Sequence, residues 1–455
     1  MTATKQKASG KIMPVIYVTR DIERALGVMP GLVTLDGKTI EYFVVANKTT
    51  YSAEICAQYP DHVFLVEDAP AETTNKKTAN SLLDTYDLLT NDAAQKFISK
   101  KIGTGGIVVF HNTSRIEKLC AEKKWRLLNP SAALAEKIEN KITQVEWLEE
   151  LADLLPTHEV VNAGDIVWGQ TLSQKTAGKT EPFIIQWAHS HTGDGTALVR
   201  NAKDLAIIKE KFPAREARVS AFIKGPMFTA NICVAPSSAI LIGNISYQIT
   251  GVLPFTDNPF STIGNDWSVP HSILSPEKIT QFNDIAHAVG KKMSAGGWVG
   301  LFGIDCIYDE ERDTVHLIEI NARQPASTTY ESQLQQTFRD QIQFQIFQNN
   351  LTTFEGHLAS LLGHKVDQES LTLLEINDGA QIIQRLTESS TVLMEAPEKI
   401  IFAVEALSTE GFTVIEYANT KANSDLLRIQ SLRGIMEAHL KFNTRGKKIV
   451  DILLA

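Results

Sequence analysis

Two acidic residues in the second half of the chain have the spacing of a metal-binding hairpin. Segment 303–323 consists of two apolar runs on either side of a short charged stretch, a pattern typical of a β-hairpin. If Asp309 pairs with Val315, Asp305 lies opposite Glu319, and opposed residues of an antiparallel pair stand about 5 Å apart at Cβ. Two carboxylates repel each other at that distance, so this arrangement calls for a cation between them.

The same strand face carries two further polar side chains. Asn321 and Arg323 follow Glu319 at period two, so all three point to one side of the strand. A face with two carboxylates, an amide oxygen and a guanidinium is poorly suited to a protein core. It suits Mg²⁺, which takes hard oxygen ligands and often bridges phosphate groups. The alternative is a solvated strand face with incidental charges, which the apolar character of the intervening positions disfavours.

Composition restricts the class of protein. The chain has 455 residues, of which 43% are hydrophobic and 21% charged, values typical of a soluble protein with two or three domains. A net charge of −9 argues against nonspecific nucleic-acid binding. The polar N-terminus does not resemble a signal peptide, and no apolar run is long enough for a membrane span. Four widely separated cysteines indicate neither a zinc site nor a disulfide framework, so we expect a cytoplasmic protein.

The order of predicted elements indicates an α/β chain in three parts. Strands and helices alternate over residues 1–129, beginning with a strand predicted at 13–18, and this alternation predicts a parallel sheet. The middle part mixes antiparallel strands with two long helices, predicted at 131–151 and 275–293. Segment 251–270 is rich in Pro, Gly, Asn and Asp, and we expect a long loop that either contacts a substrate or is an ordinary surface excursion. The last part has the pattern of a small α+β unit.

Three upstream segments have features of nucleotide binding. An apolar strand at 182–186 runs into a loop with Gly193 and Gly195, and such loops cradle phosphate oxygens, although a surface turn has the same composition. Segment 219–226 ends in a tight turn and either offers its backbone to a base or is a core strand. The pair of histidines at 189 and 191 lacks a third ligand at suggestive spacing, which favours a solvated loop over a metal site. Lys141 is predicted on a helix, where spacing alone gives it no role.

Taken in order, these pieces resemble the ATP-grasp superfamily, whose members are mostly ATP-dependent ligases that join a carboxylate to an amine, thiol or other nucleophile. The resemblance covers roughly residues 130–330. It implies a Rossmann-like preATP-grasp domain over 1–129 and an α+β ATP-grasp domain of two subdomains over 130–345. A small C-terminal α+β domain over 346–455 completes the expected architecture.

The resemblance also implies roles for individual residues. The expected ligands of two Mg²⁺ ions, or Mn²⁺ in their place, are Asp305, Glu319 and Asn321. Arg323 matches an arginine that contacts a phosphate or the acyl-phosphate intermediate. The residues implied in ATP binding are Lys141, Gln186, Gly193 and Gly195, with the backbone of Ala221 and Ile223 at adenine.

Two positions depart from the superfamily pattern. Gln186 stands where a lysine usually reaches the α-phosphate, and Ser220 stands where the hinge usually carries an acidic residue. The first change removes a positive charge from the expected nucleotide site, and the second affects recognition of adenine or ribose. Neither touches the expected metal face.

The resemblance implies an enzyme that activates a substrate carboxylate as an acyl phosphate and joins it to an amine or similar nucleophile, releasing ADP and phosphate. Its partners would be small molecules, without nucleic acid or membrane, and a homodimer is compatible with the sequence. One alternative is a carboxylase or carbamoyl-phosphate-type enzyme that phosphorylates bicarbonate. A second is a non-catalytic nucleotide-binding module, and a third makes Asp305 and Glu319 the acid and base of a hydrolase.

Overall fold

The computed structural model describes residues 13–35, 37–67, 82–172, 181–188, 195–341, 350–364, 372–387, 397–417, 419 and 423–455. The N-terminal part is a five-stranded sheet with the order β2-β3-β1-β5, in which β4 pairs with β3 and only β2 is antiparallel. Its elements are β1 (Met13–Val18), β2 (Gly31–Leu35), β3 (Lys38–Asn47), α1 (Thr50–Gln58), β4 (Val63–Val66), α2 (Thr85–Thr90), α3 (Asp92–Lys101), β5 (Gly106–Val109) and α4 (Ser114–Lys123).

This sheet is buried on both faces, as expected for parallel strands that are covered by helices. Along β1, Val15 and Tyr17 point into one apolar cluster, whereas Ile16 and Val18 point into another on the opposite face. A continuous apolar run therefore forms a strand here because both of its sides are core. The parallel α/β arrangement predicted for this part is confirmed.

The middle part contains a small antiparallel sheet with the order β6-β9-β7-β8 and the first strands of a larger one. Its elements are α5 (Ala132–Glu139), α6 (Thr143–Leu148), β6 (His158–Asn162), β7 (Phe183–Trp187), β8 (Thr196–Val199), α7 (Ala202–Lys211), β9 (Glu216–Ala221), β10 (Met227–Val234), β11 (Ile240–Ile242), β12 (Ser246–Thr250), β13 (Thr262–Asp266), α8 (Pro270–Ile273), α9 (Pro276–Ala295), β14 (Gly300–Asp309), β15 (Thr314–Asn321) and α10 (Thr328–Gln341).

Strands from the C-terminal part complete the larger sheet. Its order is β15-β14-β10-β12-β13-β18-β20-β19, with β11 paired to β10. The C-terminal elements are β16 (Asn350–Leu351), α11 (Thr353–Leu361), β17 (Thr372–Leu373), β18 (Ala380–Arg385), α12 (Pro397–Thr409), β19 (Thr413–Glu416), β20 (Asp425–Ser431), β21 (Met436–Ala438), β22 (Lys441–Phe442) and α13 (Thr444–Leu454). The domain limits at 129 and 345 stay predictions, while the sheet itself runs across the second of them.

Helix α9 covers one face of the large sheet. Its buried residues Phe282, Ile285, Val289 and Met293 recur at helical spacing and join the same apolar cluster as Phe302 of β14. On the opposite face, Cys233, Leu241 and Leu301 join residues of α11 in a second apolar cluster, whereas the part of that face that borders the cavity carries polar side chains. Among the described residues, no helix has the length and apolar character needed to cross a membrane.

Two local expectations were wrong. Segment 251–270 is not one long loop, because residues 262–266 form β13 in the middle of the large sheet. The helix expected over 131–151 is interrupted, since Lys141 lies in the turn between α5 and α6. The Asn140 side-chain oxygen accepts a hydrogen bond from the backbone of Ile142 at 3.0 Å, which stabilises a turn in place of a continuous helix.

Candidate active site

A cavity of about 690 Å³ lies between the small antiparallel sheet and the large sheet, with residues of both in its wall. On β7, Ile185 and Trp187 point into the core of the small sheet, whereas Ile184 and Gln186 line the cavity. The alternation of side chains along the strand thus presents one face of each sheet to the same space.

The hairpin of β14 and β15, which was predicted to bind metal and is called the metal hairpin below for that prediction alone, has the expected pairing at Asp305 and Glu319 but a different pairing near its turn. Asp305 lies opposite Glu319, as predicted, although Asp309 pairs with Thr314 rather than Val315. A β-bulge between these two points inserts Ile318 and restores the expected register at the acidic pair. The bulge also changes which side chains face the cavity, so that Glu319 leaves the core face that the preceding strand residues occupy.

Lys141 reaches the metal strand from the turn between α5 and α6. Its Nζ lies 2.5 Å from Oε1 of Glu319, and its side chain is only 2% exposed. The backbone N–H of Lys141 donates to the carbonyl of Ala188 at 3.1 Å, which fixes the turn beside the end of β7. The lysine that sequence spacing left solvated is therefore a buried partner of Glu319, and the turn makes this contact possible.

The two carboxylates of the hairpin have different electrostatic environments. Burial and the charge of Glu319 raise the pKa of Asp305 to about 6. Burial also acts to raise the pKa of Glu319, but Lys141, Arg323 and Arg218 outweigh it and hold that pKa below its usual range. Glu319 is therefore ionised at neutral pH, and Asp305 carries a charge that the protein alone stabilises poorly.

Arg323 is held in place from two sides. Its Nη1 lies 2.5 Å from Oε1 of Glu139, at the end of α5, and its Nη2 donates to Oδ1 of Asn321 at 3.0 Å. Asn321 in turn donates its Nδ2 to Asp305 at 3.2 Å. The structure brings these predicted residues together and adds Glu139, which no sequence signal distinguishes from other helix-surface glutamates.

A row of polar side chains continues from Asp305 across the large sheet. Gln248 donates its Nε2 to Asp305 at 2.6 Å and is paired in register with Asn265, whose Oδ1 accepts from Gln381 at 3.2 Å. Arg428 then donates its Nη1 to Gln381 at 2.9 Å. All five side chains line the cavity. This row, which we call the cross-sheet row, links the metal hairpin to strands of the C-terminal part.

The cross-sheet row was missed at the sequence level. Its members are spread over Gln248 to Arg428, and isolated Gln and Asn residues in strands carry no chemical signature. The apolar residues Tyr247 and Ile249 of β12 pack in the core, but they say nothing of which polar residues of other strands share the opposite face. Strand order, which places these residues side by side, follows only from the three-dimensional structure.

The predicted hinge, which contains Ala221 and Ile223, lies in the cavity wall, but the backbone N–H of one of these residues already has a partner. Ala221 and Ile223 both line the cavity, but the N–H of Ala221 is already donated to the carbonyl of Thr157 at 2.8 Å. Among the described residues, none forms a hydrogen bond with the backbone of Ile223. Ile223 is therefore better placed than Ala221 to offer its N–H to a base.

The predicted phosphate loop is described only at its end. Gly193, together with the histidines at 189 and 191, lies outside the described residues. The carbonyl of Gly195 accepts a hydrogen bond from Trp187 at 3.1 Å, which closes the loop at its base. Gln186 lines the cavity immediately before this loop, and its role stays a prediction with those of the other site residues.

The residues present fit a magnesium ion. No group of three or more His, Cys, Asp or Glu within the described part of the chain has the arrangement of a metal site. Asp305, Glu319 and Asn321 offer two carboxylates and an amide oxygen, and Mg²⁺ usually binds through one or two carboxylates with substrate phosphates and water completing its shell. Burial and the charge of Glu319 raise the pKa of Asp305, and a cation beside both carboxylates would oppose this shift.

Comparison with known proteins identifies solved structures of similar fold. The sequence matches no protein-family model and no curated protein. Among solved structures it is similar to a carboxyaminoimidazole ribonucleotide synthase from Aspergillus clavatus complexed with ATP, at 15% identity and a TM-score of 0.60, covering 97% of this chain and 98% of that chain.

Two further solved structures have a similar fold. An N5-carboxyaminoimidazole synthetase from Staphylococcus aureus complexed with ADP has 12% identity and a TM-score of 0.57, covering 97% of this chain and 96% of that chain. A biotin carboxylase from Campylobacter jejuni has 13% identity and a TM-score of 0.55, covering 92% of this chain and 88% of that chain. At such identities the likeness concerns the fold, and it extends over nearly the whole length of each chain. The chain therefore has the ATP-grasp fold, preceded by a Rossmann-like domain of the preATP-grasp type.

Proposed function

We propose that this protein is an ATP-dependent ligase that activates an acid as an acyl phosphate and transfers it to an amine or similar nucleophile. The observation that carries the proposal is the pairing of Asp305 with Glu319 across the hairpin, in the wall of a cavity shared with Asn321 and Arg323. A buried acidic pair of this kind is costly without a cation, and ATP complexed with magnesium supplies one together with its phosphates.

The cavity suits the two halves of ATP. Apolar side chains of the small sheet, the hinge and the large sheet line it, and they offer surfaces for a purine ring: Ile184, Ile223, Met227, Ile307 and Ile318. Asp305 precedes Ile307 by two residues and lies on the same strand face, so a nucleotide with its base on the apolar surface extends its phosphates toward Asp305 and its hairpin partner Glu319. We place adenine at the hinge for this reason.

Asp305, Glu319 and Asn321 would hold the magnesium ions, which supply charge neutralisation for the transferring phosphoryl group. A carboxylate oxygen of the first substrate attacks the γ-phosphorus, the bond to the bridging oxygen breaks, and ADP leaves. The amine of the second substrate then attacks the acyl carbon and phosphate departs. Arg323 presents a planar fork to the phosphoryl oxygens, and Glu139 holds that fork in orientation.

The second substrate has room beside the nucleotide. The cavity continues along the cross-sheet row from Asp305 to Arg428, and Arg385 also contributes to its wall. Hydrogen-bonding side chains line this region, which suits a polar molecule that carries an anionic group. We place the acceptor substrate along this row.

Binding and turnover test the proposal separately. Calorimetry should detect ATP binding that depends on Mg²⁺, and the failure to detect any would refute the nucleotide assignment. Incubation with ATP and a panel of carboxylic acids and amines should release ADP and phosphate, and hydroxylamine should trap an acyl phosphate as a hydroxamate. ATP binding without ADP release from any acid would instead favour a non-catalytic nucleotide-binding module.

A second candidate keeps the fold and makes bicarbonate the acid. The similar solved structures, which are carboxyaminoimidazole synthetases and a biotin carboxylase, favour this bicarbonate-dependent candidate. Bicarbonate requires no pocket for a carbon chain, so it would leave the whole cross-sheet row to the acceptor. Release of ADP that depends on bicarbonate alone, measured in carbonate-depleted buffer, would select this candidate over a larger acid.

A further inference from the structure

We propose that Arg218 is a phosphate-binding residue of the ATP site, a role that rests on the proposed function. Arg218 lies on β9, lines the cavity, and is only 2% exposed. Its neighbours in the core of the small sheet, Ala217 and Val219, point away from the cavity, so the strand itself directs the guanidinium toward the large sheet.

The contacts of Arg218 hold it between two elements of the candidate site. Its Nη2 donates to Oε1 of Gln186 at 2.7 Å and to the carbonyl of Ile318 at 2.8 Å. Its Nε also donates to Gln186 at 3.2 Å, and its Nη1 donates to Gln144 at 3.2 Å. The guanidinium therefore bridges the strand that enters the phosphate loop and the bulge of the metal strand, where a triphosphate must pass.

Arg218 interacts electrostatically with Glu319 but forms no ion pair with it. Within the described residues no carboxylate oxygen lies within the 4.0 Å of an ion pair with its guanidinium, and the four bonds above all go to neutral acceptors. The nearby carboxylates are engaged elsewhere, since Glu319 pairs with Lys141 and Glu139 pairs with Arg323. A buried cation is costly unless it is paired, and an anionic ligand in the cavity would provide the partner.

The donors of Arg218 leave capacity for such a ligand. A guanidinium has five N–H groups, and the four hydrogen bonds leave one on Nη1. The side chain is also rigidly oriented before a ligand arrives, which reduces the entropy lost on binding. These features indicate a preformed contact to a phosphate oxygen of ATP rather than a structural ion pair.

Replacement of the guanidinium by an uncharged side chain of similar length tests this role. Arg218→Met should weaken ATP binding, measured by calorimetry with Mg²⁺, roughly 10- to 100-fold, the usual effect of losing a charge-assisted hydrogen bond. Binding of adenosine, which lacks phosphates, should stay within about twofold of wild type. A matched control is Arg215→Met, which removes an exposed arginine that stacks on Trp187 outside the cavity.

A second experiment moves the positive charge from Arg218 to the neighbouring position 186. Gln186 and Arg218 are paired in register on the cavity face, so Gln186→Lys combined with Arg218→Met should recover ATP affinity at least tenfold over the single variant. Equal loss of ATP and adenosine in Arg218→Met would show a merely structural role and overturn the inference. Unchanged ATP affinity in Arg218→Met would overturn it as well, whereas wild-type protein that binds no ATP would refute the proposed function itself.

Discussion

At the scale of single residues, the two acids of the candidate site have partners within the protein. Lys141 pairs with Glu319 at 2.5 Å, and amide groups of Asn321 and Gln248 donate to Asp305. These are reversible substitutes for a cation, because a lysine and two amides can each turn toward other partners. A metal ion that binds at the carboxylates must compete with Lys141 and the two amides. The carboxylates therefore have favourable partners both with and without the metal.

The first residue-scale prediction concerns Glu319. Glu319→Gln keeps the volume of the side chain and removes one ligand charge, so turnover with MgATP should fall roughly 100-fold and the magnesium concentration for half-maximal activity should rise. The matched control is Glu416→Gln, the same change at an exposed position of β19, which should leave both quantities unaltered. Wild-type turnover and magnesium dependence in Glu319→Gln would contradict the metal assignment, and the melting temperature verifies that the variant is folded.

The second residue-scale prediction concerns the pKa of Asp305, raised from 3.8 to about 6. Between these pH values the folded protein binds more protons than the unfolded one, so ionisation of Asp305 lowers stability as the pH rises. In metal-free protein, the free energy of unfolding of Asp305→Asn relative to wild type should therefore increase by about 1–3 kcal/mol from pH 4.5 to pH 7.5. Urea titrations at both pH values measure this change, and a pH-independent difference would contradict it.

The proximity of four predicted site residues has a simple physical basis, whereas their roles stay predictions. Asp305, Glu319 and Asn321 lie on adjacent strands of one hairpin and Arg323 follows the second strand directly, so their proximity follows from local pairing. Arg218 belongs to another sheet and carried no signal beyond being a charge within a strand. Its approach to the hairpin depends on packing between sheets, which local periodicity does not encode.

At the scale of elements, the hairpin turn fixes where the metal face forms. Asp309 is 2% exposed, and its Oδ1 accepts hydrogen bonds from the backbone of Glu311 and Arg312 at 3.0 and 3.1 Å. The turn and the bulge at Ile318 together set the register, and a change in either would alter the partner of Asp305. Elements as small as one turn thus control the geometry of the site.

The element-scale prediction therefore concerns this turn. Asp309→Ala removes two hydrogen bonds to the turn and an ion pair with Arg312, so the free energy of unfolding should fall by about 1–3 kcal/mol. Glu310→Ala, an exposed position in the same turn, should change it by less than about 0.5 kcal/mol. Chemical denaturation measures both variants, and equal effects would mean that Asp309 does not determine the turn.

The strands that the sequence predicts have a strong local signature, whereas the strand that it misses depends on pairing with its neighbours in the sheet. β1 over 13–18 was predicted with its observed limits because an apolar run that is buried on both faces has a strong signature. β13, with the sequence Thr-Ile-Gly-Asn-Asp, was assigned to a loop because Gly, Asn and Asp are depleted in strands. It is a strand because β12 and β18 pair with its two edges, a tertiary effect that outweighs local preference.

At the scale of the whole molecule, the C-terminal part is an integral portion of the large sheet and its core. β18 pairs with β13, β20 pairs with β18, and Ile382 and Ile429 belong to the main apolar cluster of the large sheet. Side chains of both strands also line the cavity. The boundary predicted at residue 345 therefore separates segments of sequence that share one core and one sheet.

The whole-molecule prediction follows from this shared core. A chain that ends at residue 345 leaves the edge of β13 unpaired and exposes the apolar residues that α12, β18 and β20 cover, so it should lack cooperative unfolding and aggregate on expression. Circular dichroism during thermal denaturation, compared with the full chain, measures the difference. A truncated protein with a sharp transition and unchanged ATP affinity would show that the C-terminal part is an independent appendage.

The position of β18 and β20 also matters during protein synthesis. The ribosome makes the hairpin that carries Asp305 and Glu319 more than fifty residues before it makes these two strands, which lie on the other side of β13 in the same sheet. A nascent chain should thus possess the acidic pair before it has the side chains of β18 and β20 that line the cavity. Under the proposed function, chains interrupted before β18 should not release ADP from ATP, because these two strands complete the cavity wall.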